Sequence, residues 1–308
     1  MDRRDFVVTA AALSLPLGRR GAPSRPRART RLVLLGTAGG PRPRQSRAAP
    51  AQAIICDDTA YVVDCGNGVA RQLILAGIPL RNIRHLLLTH HHSDHTADFG
   101  TLLELAWSSG LQSHVDCWGP PPITRMMSQY LAMKSGDIAA RMADEGRPAL
   151  APLIQAHDLT AGGVVIQDAL VRVTAAVVDH PPITPSFAYR FDGPDRSIVV
   201  SGDTKRTDSL VELARGADVL VHEAMFPEAV DRLVASVPNA STLKQSILSH
   251  HTSAEDAGRL AQQAGVKTLV LSHLIPAEDP QVTQTMWVEA AQRHFTGRVI
   301  LGKDLLEV

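Results

Sequence analysis

Cysteine is almost missing from the 308 residues: Cys56, Cys65 and Cys117 are the whole set. An odd, sparse set without a C-x-x-C spacing excludes a disulfide framework and argues against a thiolate zinc site. A short turn after Cys56 would set it opposite a residue near Tyr61 rather than opposite Cys65. Aromatic residues make up only 4% of the chain, too few for a platform on which nucleic-acid bases stack. No run reaches 18 apolar residues, so no transmembrane helix and no stable membrane insertion are expected. Net charge is also absent, but the zero is uneven. Residues 1–31 carry eight arginines and two aspartates, which leaves 23 basic and 29 acidic side chains, about −6, in the remainder. An acidic body disfavours non-specific binding to a polyanion, and the expectation is that nucleic acid is not a partner. Bound divalent metals would change that sign locally.

Apolar residues, at 44% against 20% charged, suffice for a globular core. The N-terminus reads Arg3-Arg4, then the apolar run Phe6 to Leu17, then a Pro/Gly/Ser/Arg stretch from Gly18 to Thr30. The order resembles a twin-arginine export signal followed by a linker. The expected organisation is therefore a signal and linker over 1–31 and one hydrolase domain over 32–308, in a periplasmic or exported protein.

Within 32–308, short β runs alternate with helical segments. Strands are expected at Arg31 to Leu35, Gln52 to Ile55, Ala60 to Val63, Ile83 to Leu88 and Val115 to Trp118, with helices at Gly66 to Ala76 and Ala97 to Ser108. Residues 123–146 read as one short amphipathic helical insert. Its stripe Met126, Met127, Tyr130, Leu131 and Met133 would be buried core or, alternatively, a homodimer face. The second half repeats the layout, with strands at Val164 to Ile166, Leu170 to Val177, Phe187 to Phe191, Ser197 to Val200, Val219 to His222 and Thr268 to Ser272. Helices are expected at Asp208 to Arg215, Ser253 to Gln263 and Gln281 to His294. Two runs of strands with outer helices imply an α/β fold of sheets packed face to face inside a helical shell.

The strongest chemical signal is Thr89-His90-His91-His92-Ser93-Asp94-His95. It follows an apolar strand and precedes a helix, which places it on a tight loop. A loop turns several side chains toward one point, whereas a strand sends alternate ones to opposite faces. Imidazole and carboxylate are the ligand types zinc takes outside thiolate sites. One cluster cannot close two metal spheres, and further ligand types stand after strands: His180 in Val178-Asp179-His180, Asp203 in Ser201-Gly202-Asp203-Thr204, and His273 in Ser272-His273.

These pieces run in a recognisable order with Leu35-Gly36-Thr37-Ala38-Gly39-Gly40-Pro41, Val63-Asp64-Cys65-Gly66, Trp118-Gly119-Pro120, Val221-His222-Glu223-Ala224-Met225-Phe226 and His251-Thr252-Ser253. From about residue 32 to the C-terminus the chain resembles the metallo-β-lactamase superfamily, in its ribonuclease Z and bacterial arylsulfatase branch. The resemblance implies a four-layer αββα sandwich and two zinc ions, with manganese or iron(II) as alternatives. It implies that one zinc takes His90, His92 and His180, the other Asp94, His95 and His273, and that Asp203 bridges them. The aspartate bridge separates this branch from true β-lactamases. By the same resemblance, a metal-bridging hydroxide is the nucleophile, oriented by Asp94. His251, steered by Glu223, gives the leaving group its proton. His222 belongs to the core, Asp64 fixes the cluster loop, and His91 and His250 stay unassigned.

Ribonuclease Z proper carries a flexible arm that grips tRNA, and the insert over 123–146 is not a Gly-rich basic arm. With the export signal and the acidic body, this points to a small exported ester as substrate, a phosphodiester or an aryl sulfate. A lactonase, a phosphotriesterase or a metal-binding protein without catalysis are the alternatives. Arg42, Arg44 and Arg47, on the loop Pro41 to Pro50, would flank the metals and hold an anion or remain solvated.

Overall fold

The structure is a computed structural model that describes residues 29–308. The twin-arginine motif and the apolar run after it lie outside the described residues. Strands β1 (Thr30–Gly36), β2 (Ala51–Cys56), β3 (Thr59–Val63), β4 (Ile83–Leu87), β5 (Val115–Gly119) and β6 (Ile154–Asp158) lie side by side in chain order in one sheet. A second sheet holds β7 (Gly163–Gln167), β8 (Arg172–His180), β9 (Ile183–Asp192), β10 (Ser197–Val200), β11 (Val219–Met225), β12 (Thr268–Ile275) and β13 (Arg298–Leu301), again neighbour to neighbour.

Alternation along each strand builds the layers. In β1, Leu32 and Leu34 face the other sheet while Val33 and Leu35 face outward. In β10 and β11, Ile198, Val200, Val219 and Val221 face inward while Val199 and Leu220 face outward. Such strands are apolar on both sides because both faces are covered. Between the sheets lie Tyr61, Phe187, Tyr189 and Phe191, all fully buried. Outside the first sheet pack α1 (Val69–Leu75), α3 (Phe99–Ser108) and α4 (Ile123–Met133), with the one-turn α2 (Ser93–Thr96) between α1 and α3 in sequence. Outside the second pack α6 (Asp208–Ala214), α9 (Ala254–Ala264) and α10 (Gln284–Gln292). The result is the expected four-layer αββα sandwich.

The stretch expected to be a helical insert is helical, in two pieces, α4 and α5 (Ser135–Glu145), broken at Lys134. Helix α4 docks through Tyr130, which sits so close to Gly100 that a Cβ there would meet its ring at 2.2 Å. Of the methionine stripe, Met127 is buried and Met133 is 71% exposed, so core and surface divide it. Sequence periodicity also missed β6, β13 and the pair α7 (Val230–Ala235) and α8 (Leu243–His250), all short elements. Short elements carry too few repeats for a period to show. The three cysteines are free and buried, and Cys56 pairs across its hairpin with Thr59. No helix among the described residues is long and apolar enough to cross a membrane.

Candidate metal centre

The histidine motif leaves β4 on a backbone held by both sheets. Tyr189 Oη donates to the carbonyl of Leu88 at 2.7 Å, and the Phe187 amide donates to the carbonyl of Thr89 at 2.9 Å. Leu88 to His92 form the loop, while Asp94 and His95 already stand in the single turn of α2. Asp64, at φ 61°, is the post behind them: its carboxylate accepts the Thr89 amide at 2.8 Å and takes His95 Nδ1 at 2.8 Å. It joins none of the groups whose ligand atoms converge and holds the loop and His95 from behind.

The remaining candidates come from the second sheet, at irregular points. The β8–β9 ladder shifts register between Val178 and His180, and the β11–β12 ladder passes over His273, which has φ 44°. A bulge re-aims one side chain without ending the strand. Thus His273 lies inside β12 rather than after it. Asp203 follows Gly202, at φ 59°, where a Cβ would lie 2.8 Å from Thr89 Cβ and from the Phe187 carbonyl oxygen. Only glycine allows both the conformation and the approach.

Seven residues from distant sequence positions meet. His90, His92, His180 and Asp203 offer ligand atoms within 4.8 Å of one another, and so do Asp94, His95 and His273. Asp203 reaches both sets: Oδ2 is 3.7 Å from His90 Nε2 and 3.2 Å from His273 Nε2, and Oδ1 is 3.4 Å from His95 Nε2. The ring nitrogens fit cations. His180 Nδ1 donates to the His250 carbonyl at 3.1 Å, and His95 Nδ1 is held by Asp64. Their Nε2 atoms are thereby left as lone pairs that face the centre. His92 Nδ1 lies 3.0 Å from His90 Nε2 and 3.2 Å from His180 Nε2, so three imidazoles converge with few protons to share. Buried His95 Nε2 and Asp203 Oδ1 make no hydrogen bond. The cluster fits a dinuclear metal site.

Electrostatics agree. Burial opposes charge on Asp203, yet His273 and His95 hold its pKa well below the carboxylate range. Burial likewise opposes Asp94, which His95 and His273 nonetheless bring down to about 2. Burial, reinforced by the neighbouring His95, pushes the His90 pKa well down, which keeps it a neutral ligand.

Beside the cluster, His251 Nδ1 is 2.9 Å from Glu223 Oε2. Burial would lower the His251 pKa, but the Glu223 charge and hydrogen bond raise it to about 9. His222, on the opposite face of β11, is fully buried, donates to its neighbour's carbonyl and joins none of the ligand groups. His91 donates to the Pro120 carbonyl at 2.7 Å. The three loop arginines divide: Arg47 is held by Thr37 and the Gly302 carbonyl, whereas Arg42 and Arg44 line the cavity above the cluster. That cavity measures about 450 Å³. Its far side is α7, α8 and the turn between them, which sequence reasoning had left without a function. A 3–4 spacing of Leu233, Val237, Ala240, Leu243 and Ile247 was the available signal, broken by Pro238.

Residues 59–274 match the model of the beta-lactamase superfamily domain. Ribonuclease Z of Mycobacterium bovis (strain BCG / Pasteur 1173P2) is 34% identical over 280 residues, which cover 90% of this chain and 97% of that protein.

The chain belongs to the ribonuclease Z family of the metallo-β-lactamase superfamily.

Ribonuclease Z of Mycobacterium sp. (strain KMS) is 35% identical over 279 residues, 90% of this chain and 95% of that one. Among solved structures, the short form of human tRNase Z superposes with a TM-score of 0.66 at 20% identity, over 90% of this chain and 98% of that one. The metallo-β-lactamase fold protein YhfI from Bacillus subtilis gives 0.66 at 19% identity, over 91% and 98%. At these identities the two structures speak for the fold alone. The full-length ribonuclease Z relatives overturn two expectations: a small exported phosphodiester or aryl sulfate as substrate, and the absence of a nucleic-acid partner. The charge argument failed because a net of −6 averages over the whole surface, while affinity at a site follows the local field. There, Arg42, Arg44 and a site fitted for two cations face the cavity.

Proposed function

We propose that this protein is a phosphodiesterase of the ribonuclease Z type that cuts RNA of the tRNA class. Two divalent ions, zinc in the first instance, would be held by His90, His92 and His180 on one side and Asp94, His95 and His273 on the other, with Asp203 between. Bound there, such ions supply Lewis acidity toward phosphoryl oxygens and acidify a bound water toward neutral pKa. The observation that carries the reading is the His251–Glu223 pair beside the seven-residue cluster, with His251 lining the same cavity and Glu223 buried behind it. Metal storage needs no buried acid–base pair, whereas phosphodiester cleavage with an alkoxide leaving group does.

The protein's own groups divide the work. Glu223 fixes His251 through Nδ1, which leaves Nε2 to deliver a proton to the departing oxygen. The Gly40 amide donates to Asp94 Oδ2 at 3.1 Å and sets that carboxylate. Arg44, half-buried and with no carboxylate at ion-pair distance among the described residues, donates to the carbonyls of Arg42 and Gly39 and is the cation best placed to steer a phosphate.

The test is a tRNA transcript with a 3′ extension, incubated with the purified, zinc-loaded protein. One endonucleolytic cut is expected, lost on chelation and restored by zinc, manganese or iron(II). A protein that binds two metal ions and cuts no RNA would overturn the reading.

A further inference from the structure

A metal centre acting on a hydrated phosphate has no use for an aliphatic surface, yet one lines part of its cavity. Leu233, Val237, Ala240, Leu243 and Ile247 supply it. They come from α7, α8 and the turn between them, a segment that is tied down rather than loose. Val230 and Ile247 pack with Met225 and Ile275 in a small core of their own. Arg232 pairs with Asp279 at 2.7 Å, and Arg42 donates to Ser236 at 2.9 Å. Ile247 is buried in that core, while Leu233, Val237, Ala240 and Leu243 stay only partly buried, and an apolar group in the cavity would complete their burial. At about 450 Å³, lined by both aliphatic and polar or charged side chains, the cavity has the dimensions of a small-molecule site.

His251 says which part of the substrate belongs there. It is the residue directly after α8, one helical turn beyond Ile247. A group that receives a proton from His251 therefore lies beside the end of α8 that carries Ile247. The phosphate falls to the part of the cavity lined by His92, Asp94 and Arg44. We propose that this aliphatic roof binds the base of the nucleoside whose oxygen leaves, with Asn239 and Ser246 at its edge to meet the base's polar atoms. This rests on the ribonuclease reading for the identity of the occupant. A roof of branched aliphatic chains favours a flat base by contact area, without the stacking that the chain's few aromatics cannot supply.

Binding tests this apart from turnover. Calorimetry on the metal-loaded protein compares adenosine 3′- and 5′-monophosphates with ribose 5-phosphate, which share the phosphate and differ in the base. At least one nucleotide should bind about tenfold more tightly, the effect of burying a modest apolar area. In Ile247→Asn and, separately, in Val237→Asn on the half-exposed turn, that advantage should fall below about threefold with the ribose phosphate affinity unchanged. Equal binding of nucleotide and ribose phosphate by the native protein overturns the proposal, as does an advantage that survives in both variants. A transcript with an abasic residue on the departing side of the cut should raise KM in the native protein, and one on the other side should not; the reverse pattern also overturns it. If the base advantage is present and roof-dependent but no RNA is cut, the roof stands and the ribonuclease reading falls.

Discussion

His251 Nδ1 lies 2.9 Å from Glu223 Oε2, while the other oxygen of that carboxylate accepts the Thr204 amide at 2.7 Å. One buried side chain thus orients His251 and pins the backbone beside Asp203. Glu223→Gln removes the charge that raises the His251 pKa and turns a donor toward Nδ1. We expect kcat on RNA to fall by about 10²–10⁴, the usual worth of a positioned acid. Bis(p-nitrophenyl) phosphate, whose leaving group needs no proton, should be nearly unaffected in both Glu223→Gln and His251→Ala. Equal losses on the two substrates would remove His251 from the role of acid.

Asp64 is 1% exposed and holds His95 and the Thr89 amide at once. In Asp64→Asn, metal affinity should drop about 10- to 100-fold, as for other groups that orient a ligand histidine. Competition with a chromogenic chelator measures it. Unchanged affinity would mean that the loop holds its shape without that carboxylate.

Metal removal should loosen the fold. Asp94 and Asp203 lie buried and ionised in the centre, and a cation that binds only the folded state adds about 4 kcal/mol at a thousand times its Kd. A chelator should therefore lower Tm by several degrees, with recovery on adding zinc. A Tm indifferent to chelation would mean that the site is empty in the native protein.

Gly100→Ala tests the docking of the insert. The new methyl would overlap the Tyr130 ring, whose hydroxyl bonds Thr101 and Glu104. A stability loss of about 1–3 kcal/mol is expected from overpacking, with metal content unchanged. Denaturant unfolding reads the first and metal analysis the second.

Arg44→Ala should raise KM for RNA roughly tenfold and leave kcat near its native value, the signature of lost uniform binding. Arg47→Ala should instead lower stability, because that guanidinium bonds Thr37 and the Gly302 carbonyl. A Arg47 variant that is stable yet impaired in binding would reverse the assignment.

Much of this was legible in the chain because it is local. Unbroken apolar runs in Leu32 to Leu35 and Ile198 to Val200 encode strands covered on both faces, and with them the layered sandwich. The run from His90 to His95 marks ligand chemistry by residue type and spacing. Bulk charge misleads about the substrate because it is a whole-chain property, whereas the chemistry belongs to one cavity. The α7–α8 roof was missed because two helices of six and eight residues, split by Pro238, show no sustained period.

By itself the sequence determined that histidines and aspartates would line one point near the end of β4, and that sheets and helices would layer around it. Only the tertiary structure decided which ring nitrogen of each histidine faces the centre, how far Asp203 stands from each half, that Arg44 but not Arg47 meets the cavity, and that an aliphatic roof stands beside His251. The reason is distance along the chain. His92 meets His180 across 88 residues and Asp94 meets His273 across 179. No local spacing records such contacts; the packing of two sheets and two bulged strands creates them.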